Sequence, residues 1–382
     1  MKKFLRYLRS AALPFLIAVN VLIAAGTIFS GFAGHIDQEY MPFAGIVAMT
    51  FPGWYAGSIV MLVLDLILCR WSALVPAAAM LAAIGPFLAY CPLNFGNHEL
   101  TPDEKERSFK VLSYNVVSFV DEEGLSTPEF NRTMHTILQA DADIVAILEY
   151  ENQGKISKFV PQPQIDSLLT LYPYFERGSR GTVLFAKRPI LHIVPPDNVR
   201  SKGNMEVFRT TVAGRPVNVF AVHLESIGLD NDDKALYRDL TDTNPMETAE
   251  EGTFERVRSQ IISKLYAAFA HRAWQGKMLR TYAEQLGGDI IVCGDFNDVP
   301  GCRTLTILKE IGMKDAYAET ALGPTITYNV PNFLFRIDHV LWRGNLRAVN
   351  IERGNVASSD HYPMLTTFVW DEPAGTQRGT KD

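Results

Sequence analysis

The sequence predicts an α/β domain with one large core, preceded by three apolar helices, and three observations carry that prediction. The first hundred of the 382 residues hold only five Lys/Arg and four Asp/Glu, so that part is built for a different solvent from the rest. From Phe109 onward, short β-branched runs alternate with amphipathic stretches, the pattern of strands interleaved with helices. Six apolar runs stop at an amide, an acid or an imidazole, and open α/β sheets commonly place their chemistry at strand ends.

Residues 11–32 are apolar apart from Asn20 and a few small residues, and Lys2, Lys3, Arg6 and Arg9 precede them. That length crosses a hydrocarbon core of about 30 Å as a helix. A cleaved signal peptide is the competing reading, but two further apolar segments, 43–69 and 72–90, follow and keep an anchor. The loop over 35–40 has no Lys or Arg, whereas Arg70 separates the second and third segments. Basic residues stay on the cytoplasmic side. The expected arrangement is therefore a multi-pass inner-membrane protein with everything after Asn94 outside, in the periplasm. Asp65 lies close to Arg70 in the sequence and reads as a paired or snorkelled side chain rather than a transport residue.

Residues 1–94 form the expected transmembrane region and 95–108 a polar linker around Thr101-Pro-Asp-Glu-Lys-Glu-Arg107. Residues 109–371 form the expected catalytic domain and 372–382 a polar tail. Expected strands cover 110–114, 144–148, 182–186, 207–212, 217–223, 289–293, 337–342, 347–352 and 365–370. Expected helices cover 128–140, 254–285 and 302–311. Cys69 and Cys91 sit in apolar runs. Cys293 and Cys302 flank one polar turn and suit either free thiols or, in an oxidising compartment, a pair.

The strand ends hold the chemistry. Asn115 closes Val-Leu-Ser-Tyr-Asn, Glu149 closes Ile-Val-Ala-Ile-Leu-Glu, and His223 closes Val-Phe-Ala-Val-His. Asp295 and Asn297 stand in the turn Gly294-Asp-Phe-Asn297 after a β-branched run, Asp338 in Arg336-Ile-Asp338, and Asp360-His361 after two serines. Each has a bland alternative. Asn115 and Asp295 suit turns or caps, Glu149 a solvated loop, His223 a core histidine, and Asp338 a partner for Arg336.

Together they supply what phosphoryl chemistry needs. A hard cation such as Mg²⁺, with Mn²⁺ as the alternative, takes oxygen ligands, and Asn115, Glu149, Asp295, Asn297 and Asp360 offer only oxygen. No HExxH motif or cysteine-rich cluster points to zinc. His223 and His361 remain for proton transfer or phosphate contact, and Asp338 suits the orienting acid of a catalytic imidazole.

At these residues the chain resembles the endonuclease/exonuclease/phosphatase superfamily, which includes pancreatic deoxyribonuclease, bacterial sphingomyelinases and inositol polyphosphate 5-phosphatases. The resemblance runs from about Lys110 to Phe368 through Ser113-Tyr-Asn115, Leu148-Glu149, Gly181-Thr-Val-Leu-Phe-Ala-Lys187, His223-Leu224, Gly294-Asp-Phe-Asn297, Arg336-Ile-Asp338 and Ser359-Asp360-His361. It implies a four-layered α/β sandwich, two packed β-sheets flanked by helices, and metal-dependent cleavage of a P–O bond by activated water. Carried over by position, Asn115, Glu149 and Asp360 hold the metal and Asp295 and Asn297 place water and phosphate. Asp360 and His361 form the final acid and base pair, supported by Asp338, and His223 contacts or protonates the departing side. Leu148 stands where the family usually has Gln, and His339 where Tyr is common.

The expected activity is that of a Mg²⁺-dependent phosphodiesterase or phosphatase, with His361 and Asp295 both open as the base. After the first hundred residues the chain carries 31 basic and 38 acidic residues, a balance that disfavours nucleic acid, which attracts basic surfaces. Arg177, Arg180, Lys187, Arg188, Arg200 and Lys202 suit a local patch or solvated loops. The acidic stretch 230–252 suits a screen against polyanions or a solvated loop. A membrane tether points to a lipid head group or another envelope phosphate ester as substrate. The alternatives are an extracytoplasmic endonuclease or exonuclease and a non-catalytic, membrane-tethered binding protein on the same fold.

Overall fold

The computed structural model describes residues 2–68, 71–96, 98–121, 124, 126–150, 159–194, 204–228, 251–330, 334–355 and 358–371. These residues form two compact units that interleave along the chain. One comprises 1–92, 226–277 and 298–307, and the other comprises 93–225, 278–297 and 308–382.

The first unit begins with α1 (Lys2–Phe32). The second apolar segment is a short helix, α2 (Phe43–Met49), followed by α3 (Phe51–Leu68). The stretch 72–90, expected as one helix, is two: α4 (Leu74–Ala82) and α5 (Ile84–Tyr90). Proline explains both breaks. Pro52 and Pro86 lack an N–H, and in a continuous helix their rings would meet the carbonyls of Ala48 and Ala82 four residues earlier; α2 stops at Met49 and α4 at Ala82. Two stretches, Pro14–His35 and Phe51–Leu68, are long and apolar enough to cross a membrane, and only 22% and 28% of them are buried. Asp65 is buried and accepts hydrogen bonds from Asn20 Nδ2 at 2.7 Å and Ser72 Oγ at 2.6 Å. It is thus a paired acid; its expected neighbour Arg70 lies outside the described residues.

The second unit is a sandwich of two six-stranded mixed sheets flanked by helices. One sheet runs β11-β12-β1-β2-β4-β3 and the other β5-β6-β7-β8-β10-β9. Its strands are β1 (Ser108–Asn115), β2 (Ile144–Leu148), β3 (Tyr174–Arg177), β4 (Val183–Ala186), β5 (Ile190–Ile193), β6 (Met205–Val212), β7 (Arg215–His223), β8 (Ile290–Asp295), β9 (Lys314–Asp315), β10 (Asp338–Arg343), β11 (Leu346–Arg353) and β12 (Met364–Trp370). All nine expected strands form. β3, β5 and β9 are additional, and each is short and stands at or next to a sheet edge, where alternation gives little signal.

Side-chain alternation builds the layers. Phe109 and Val111 of β1, with Ile144 and Ala146 of β2, pack against Val217, Val219, Ile291 and Cys293 of the other sheet. Their neighbours Leu112, Tyr114, Val145 and Ile147 face the other way, onto Met134, Ile137 and Leu168. Met134 and Ile137 lie on α7 (Arg132–Ala140) and Leu168 on α8 (Gln162–Leu171), the helices that cover the first sheet, and α6 (Pro102–Glu106) precedes the sandwich. Because both faces of β2 and β8 are covered, these strands read as unbroken apolar runs. The long helix α9 (Glu251–Leu286) and α10 (Arg303–Glu310) match the expected helices, and α11 (Ala316–Thr320) is a short addition capped by Asp315. Cys293 and Cys302 are both buried free thiols.

Candidate functional site

Strand register brings the polar strand ends together. β1 and β2 are parallel and pair Asn115 with Leu148, so Glu149 follows directly beside Asn115. β7 and β8 are parallel and pair His223 with Asp295. β8 and β10 are antiparallel and pair Asp338 with Asp295. Asp295 therefore stands between His223 on one flank and Asp338 on the other. The connection between β11 and β12 adds His361, which forms an isolated bridge with Tyr328.

The side chains meet across the two sheets. Asn115 Nδ2 donates to Glu149 Oε1 at 3.0 Å and reaches Asp295 Oδ2 at 3.4 Å. His223 Nε2 lies 3.5 Å from Glu149 Oε1 and 3.8 Å from Asp295 Oδ2. His361 Nε2 lies 3.6 Å from Asp295 Oδ2 and 3.9 Å from Asp360 Oδ1. Its other nitrogen, Nδ1, donates to Asp338 Oδ2 at 2.8 Å. All eight residues expected at the site belong to this cluster or its rim. Asn297 is the rim member: its backbone N–H donates to Asp295 Oδ1 at 2.8 Å and its Nδ2 to the Leu224 carbonyl at 3.0 Å.

Burial is uneven, and the unevenness gives the cluster a mouth. Asp295, Asp338 and His361 are buried, whereas the side chains of Glu149 and Asp360 are 30% and 28% exposed. Burial pushes the His361 imidazole down, but the carboxylates of Asp338, Asp295 and Asp360 more than offset it and hold the group up at about 10. The imidazole is consequently charged at neutral pH. Burial also pushes the neighbouring Cys293 thiol up to about 12, so this cysteine is no nucleophile.

Two of the site residues have a left-handed backbone. Glu149 and Asn297 have φ of 52° and 50°, in the left-handed region that ordinary side chains rarely occupy. Gly294, at φ 140°, lies so close to β7 that a Cβ there would sit 2.0 Å from the Val222 carbonyl oxygen. Only glycine fits.

Several supporting residues carry no local signal in the sequence. Thr327 Oγ1 accepts from the N–H groups of Ile337 and Asp338, both at 2.9 Å. Ser359 Oγ donates to the Asn115 carbonyl at 2.8 Å and accepts from the His361 N–H at 3.2 Å, tying two strand ends together. The Tyr328 ring packs on the His361 imidazole at 5.0 Å. Arg336 forks onto Asp315 at 2.9 and 3.2 Å and donates to His339 Nδ1 at 2.9 Å, whereas Asp338 engages the His361 imidazole. His339 thus faces away from its neighbour Asp338 and packs edge-on against Phe296 at 5.3 Å.

Among the described residues, ligand atoms of Asp295, Asp338 and His361 lie within 4.8 Å of one another. That buried trio is an acid–imidazole dyad with a second acid, since Nδ1 of His361 is already engaged by Asp338. The oxygen donors of the part-exposed Glu149 and Asp360, with that of the buried Asn115, have the chemistry a hard divalent cation takes. Of the basic residues singled out above, Lys187 pairs with Asp141 at 2.6 Å and Arg177 lies over the Tyr150 ring at 5.4 Å. Arg200, Lys202 and the acidic stretch up to residue 250 lie outside the described residues.

Comparison with known proteins gives the family of the chain. Solved structures similar to the chain include an endonuclease/exonuclease/phosphatase from Beutenbergia cavernae, 17% identical, covering 69% of this chain and 72% of that one with a TM-score of 0.46. An endonuclease/exonuclease/phosphatase family protein from Bacteroides thetaiotaomicron is 17% identical over 69% of this chain and 98% of that one, with a TM-score of 0.41. Truncated TDP2 from Caenorhabditis elegans is 17% identical over 69% and 98%, with a TM-score of 0.40. No curated protein matches the chain. Residues 13–90 match a domain of unknown function, DUF8431. Residues 112–361, which span every residue of the site, match the model of the endonuclease/exonuclease/phosphatase family, and the chain belongs to that family.

Proposed function

We propose that this protein is a membrane-anchored, divalent-metal-dependent hydrolase of phosphoester or phosphodiester bonds. The observation that carries the reading is the convergence of Glu149, Asn115 and His223 with the His361–Asp338 pair around Asp295. A protein that only binds needs no such set.

Glu149, Asn115 and Asp360 would hold Mg²⁺ or Mn²⁺, and the chemistry such an ion supplies is Lewis acidity toward a phosphoryl oxygen. The chain's own groups then divide the remaining work. His361 carries its proton at neutral pH and so acts as a donor to the phosphoryl group, with Asp338 fixing the ring and offsetting its charge. Asp295, 3.6 Å from His361 Nε2, accepts the proton of the attacking water as its oxygen bonds to phosphorus. Asn297 orients the phosphate beside it. His223, on the opposite flank of Asp295 from Asp338, stands on the side where the P–O bond breaks and the departing oxygen takes a proton.

The anchor reading is supported by two apolar stretches that are mostly unburied, unlike the core helices of a soluble protein. Basic residues at the start of α1 and a loop over 35–40 without Lys or Arg support a multi-pass inner-membrane topology with the catalytic domain in the periplasm. Such a tether favours a lipid head group or another envelope phosphate ester, and the acidic balance of the domain disfavours nucleic acid. The test is a panel of phospholipids, sugar phosphates, nucleotides and plasmid DNA presented to the full chain in detergent micelles, with Mg²⁺ or with EDTA. Cation-dependent release of phosphate or head group from a lipid supports the reading, plasmid nicking points to a nuclease, and no turnover on any substrate overturns it.

A further inference from the structure

We infer that Arg180, with Arg177, forms a subsite for a second anionic group, a carboxylate or a phosphate, carried by the departing part of the substrate. The inference deepens the hydrolase reading and rests on it for which part departs.

The two arginines stand at the turn between β3 and β4, inside the compact unit that holds the site. β2 and β4 are antiparallel, with Ile147 opposite Val183, so the turn that precedes Val183 comes level with the end of β2. The Tyr150 N–H accordingly donates to the Gly181 carbonyl at 2.8 Å. Glu149 and Arg180 are each the residue before one member of that bonded pair. Both arginines are exposed, and the Arg177 guanidinium lies 5.4 Å from the centre of the Tyr150 ring.

The turn is seated on a buried acid that the proposed mechanism does not use. Glu206 of β6 accepts from the Ser179 N–H at 2.7 Å and from the Ser179 hydroxyl, and its other oxygen lies 2.8 Å from His192 Nε2. A buried carboxylate is costly unless it is hydrogen-bonded, and these contacts offset that cost. Gly178 lies so close that a Cβ there would sit 2.3 Å from Glu206 Cγ. A turn that only joined two strands of one sheet would need no carboxylate from the other sheet.

Topology gives the side on which the arginines act. β4 flanks β2 on the side away from β1, and β6 flanks β7 on the side away from β8. The His223 N–H donates at 3.0 Å to the carbonyl of Asn204, two residues before Glu206. Glu149, His223 and the turn therefore share one rim, with the turn beyond His223 as seen from Asp295. His223 serves the departing oxygen, so the arginines meet the remainder of the departing group. The cluster itself is acidic through Glu149, Asp295, Asp338 and Asp360, and positive charge for a second anion comes from this rim. The planar fork of an arginine matches a carboxylate or a phosphate.

The test uses the full chain with Mg²⁺ and two diesters whose departing phenols differ by one charge, bis(4-carboxyphenyl) phosphate and bis(4-carbamoylphenyl) phosphate. A parallel calorimetric arm compares 4-carboxybenzylphosphonate with its carboxamide, whose P–C bond an ester hydrolase does not cleave. The first arm reads the preference for carboxylate over carboxamide in kcat/KM and the second reads it in affinity. Arg180→Met should lower that preference by about tenfold or more, the scale of a charge-assisted hydrogen bond. Glu206→Gln should lower it in the same direction, and Arg188→Met, an exposed arginine past the other end of β4, should keep it. A preference retained in Arg180→Met, or lost equally in Arg188→Met, overturns the subsite, as does a wild-type chain without one in either arm. Glu206→Gln with the wild-type preference overturns the seat. If neither diester is hydrolysed while the phosphonate preference behaves as stated, the hydrolase reading has failed and the anion subsite stands.

Discussion

His223 and Asp295 are register partners at the carboxyl ends of two parallel strands, and their side chains end 3.8 Å apart. Asp295 is also the register partner of Asp338 on the other side. One residue is thus flanked by an imidazole and by the acid that orients a second imidazole, an arrangement dictated by sheet register.

Asp295→Asn keeps the shape of the side chain and its bond from the Asn297 N–H while removing the proton acceptor. Turnover should fall by about a hundredfold or more, the usual scale for a positioned acid or base. Steady-state kinetics of the full chain, with KM unchanged, is the check. His361→Gln should produce a loss of similar size.

The His361 imidazole, at about 10 in the folded chain, lies above its unfolded value of about 6.5. A raised basic group contributes stability that is complete below the unfolded value and is lost as pH rises through the folded one. The metal-free chain should therefore lose thermal stability between about pH 6.5 and pH 10. His361→Gln should flatten that slope; melting curves across the range, wild type against variant, measure it.

Gly294 admits no side chain, because a Cβ would meet the Val222 carbonyl at 2.0 Å and φ is 140°. Gly294→Ala should cost more than about 2 kcal/mol through strain and separation of β7 from β8. Comparison of denaturation midpoints checks it, and Gly214→Ala, where a Cβ meets nothing within 4 Å, is the control for strain alone.

The Arg336–Asp315 pair is buried on both sides, with side chains 3% and 1% exposed. Arg336 holds the Asp315 carboxyl well below the usual range despite the opposing effect of burial. Arg336→Met removes that carboxylate's main counter-charge and should destabilise the fold by about 3–5 kcal/mol. Adding Asp315→Leu should recover most of the loss, since the unpaired charge is then gone. Equilibrium unfolding of the single and double variants separates the two outcomes.

Much of the candidate site was legible because Asn115, Glu149, His223 and Asp295 each close an apolar run, and a strand end is a local pattern. The spacing of Asn115, Glu149, His223 and Asp295 along the chain reflects the strands that carry them. What the sequence withheld depends on distant partners. Arg336 stands two residues from Asp338 yet pairs with Asp315, because alternation along the chain entering β10 turns the two to different faces. Thr327 and Ser359 are ordinary hydroxyl residues whose acceptor and donor roles exist only once the strands are assembled. The apolar helices were legible by composition, but their breaks followed Pro52 and Pro86, and the attachment of Lys277 to Asp37 spans 240 residues of sequence. No window along the chain contains it.

The measurement that bears most directly on the account is the divalent-ion dependence of phosphodiester hydrolysis by the full chain and by its Glu149→Gln variant. With bis(p-nitrophenyl) phosphate as substrate, wild-type turnover should rise with added Mg²⁺ or Mn²⁺ and vanish with EDTA, and the variant should need far more ion for a fraction of the rate. Turnover indifferent to EDTA, or a variant with the ion dependence of the wild type, would contradict a cation held at Glu149 and the convergence on which the site depends.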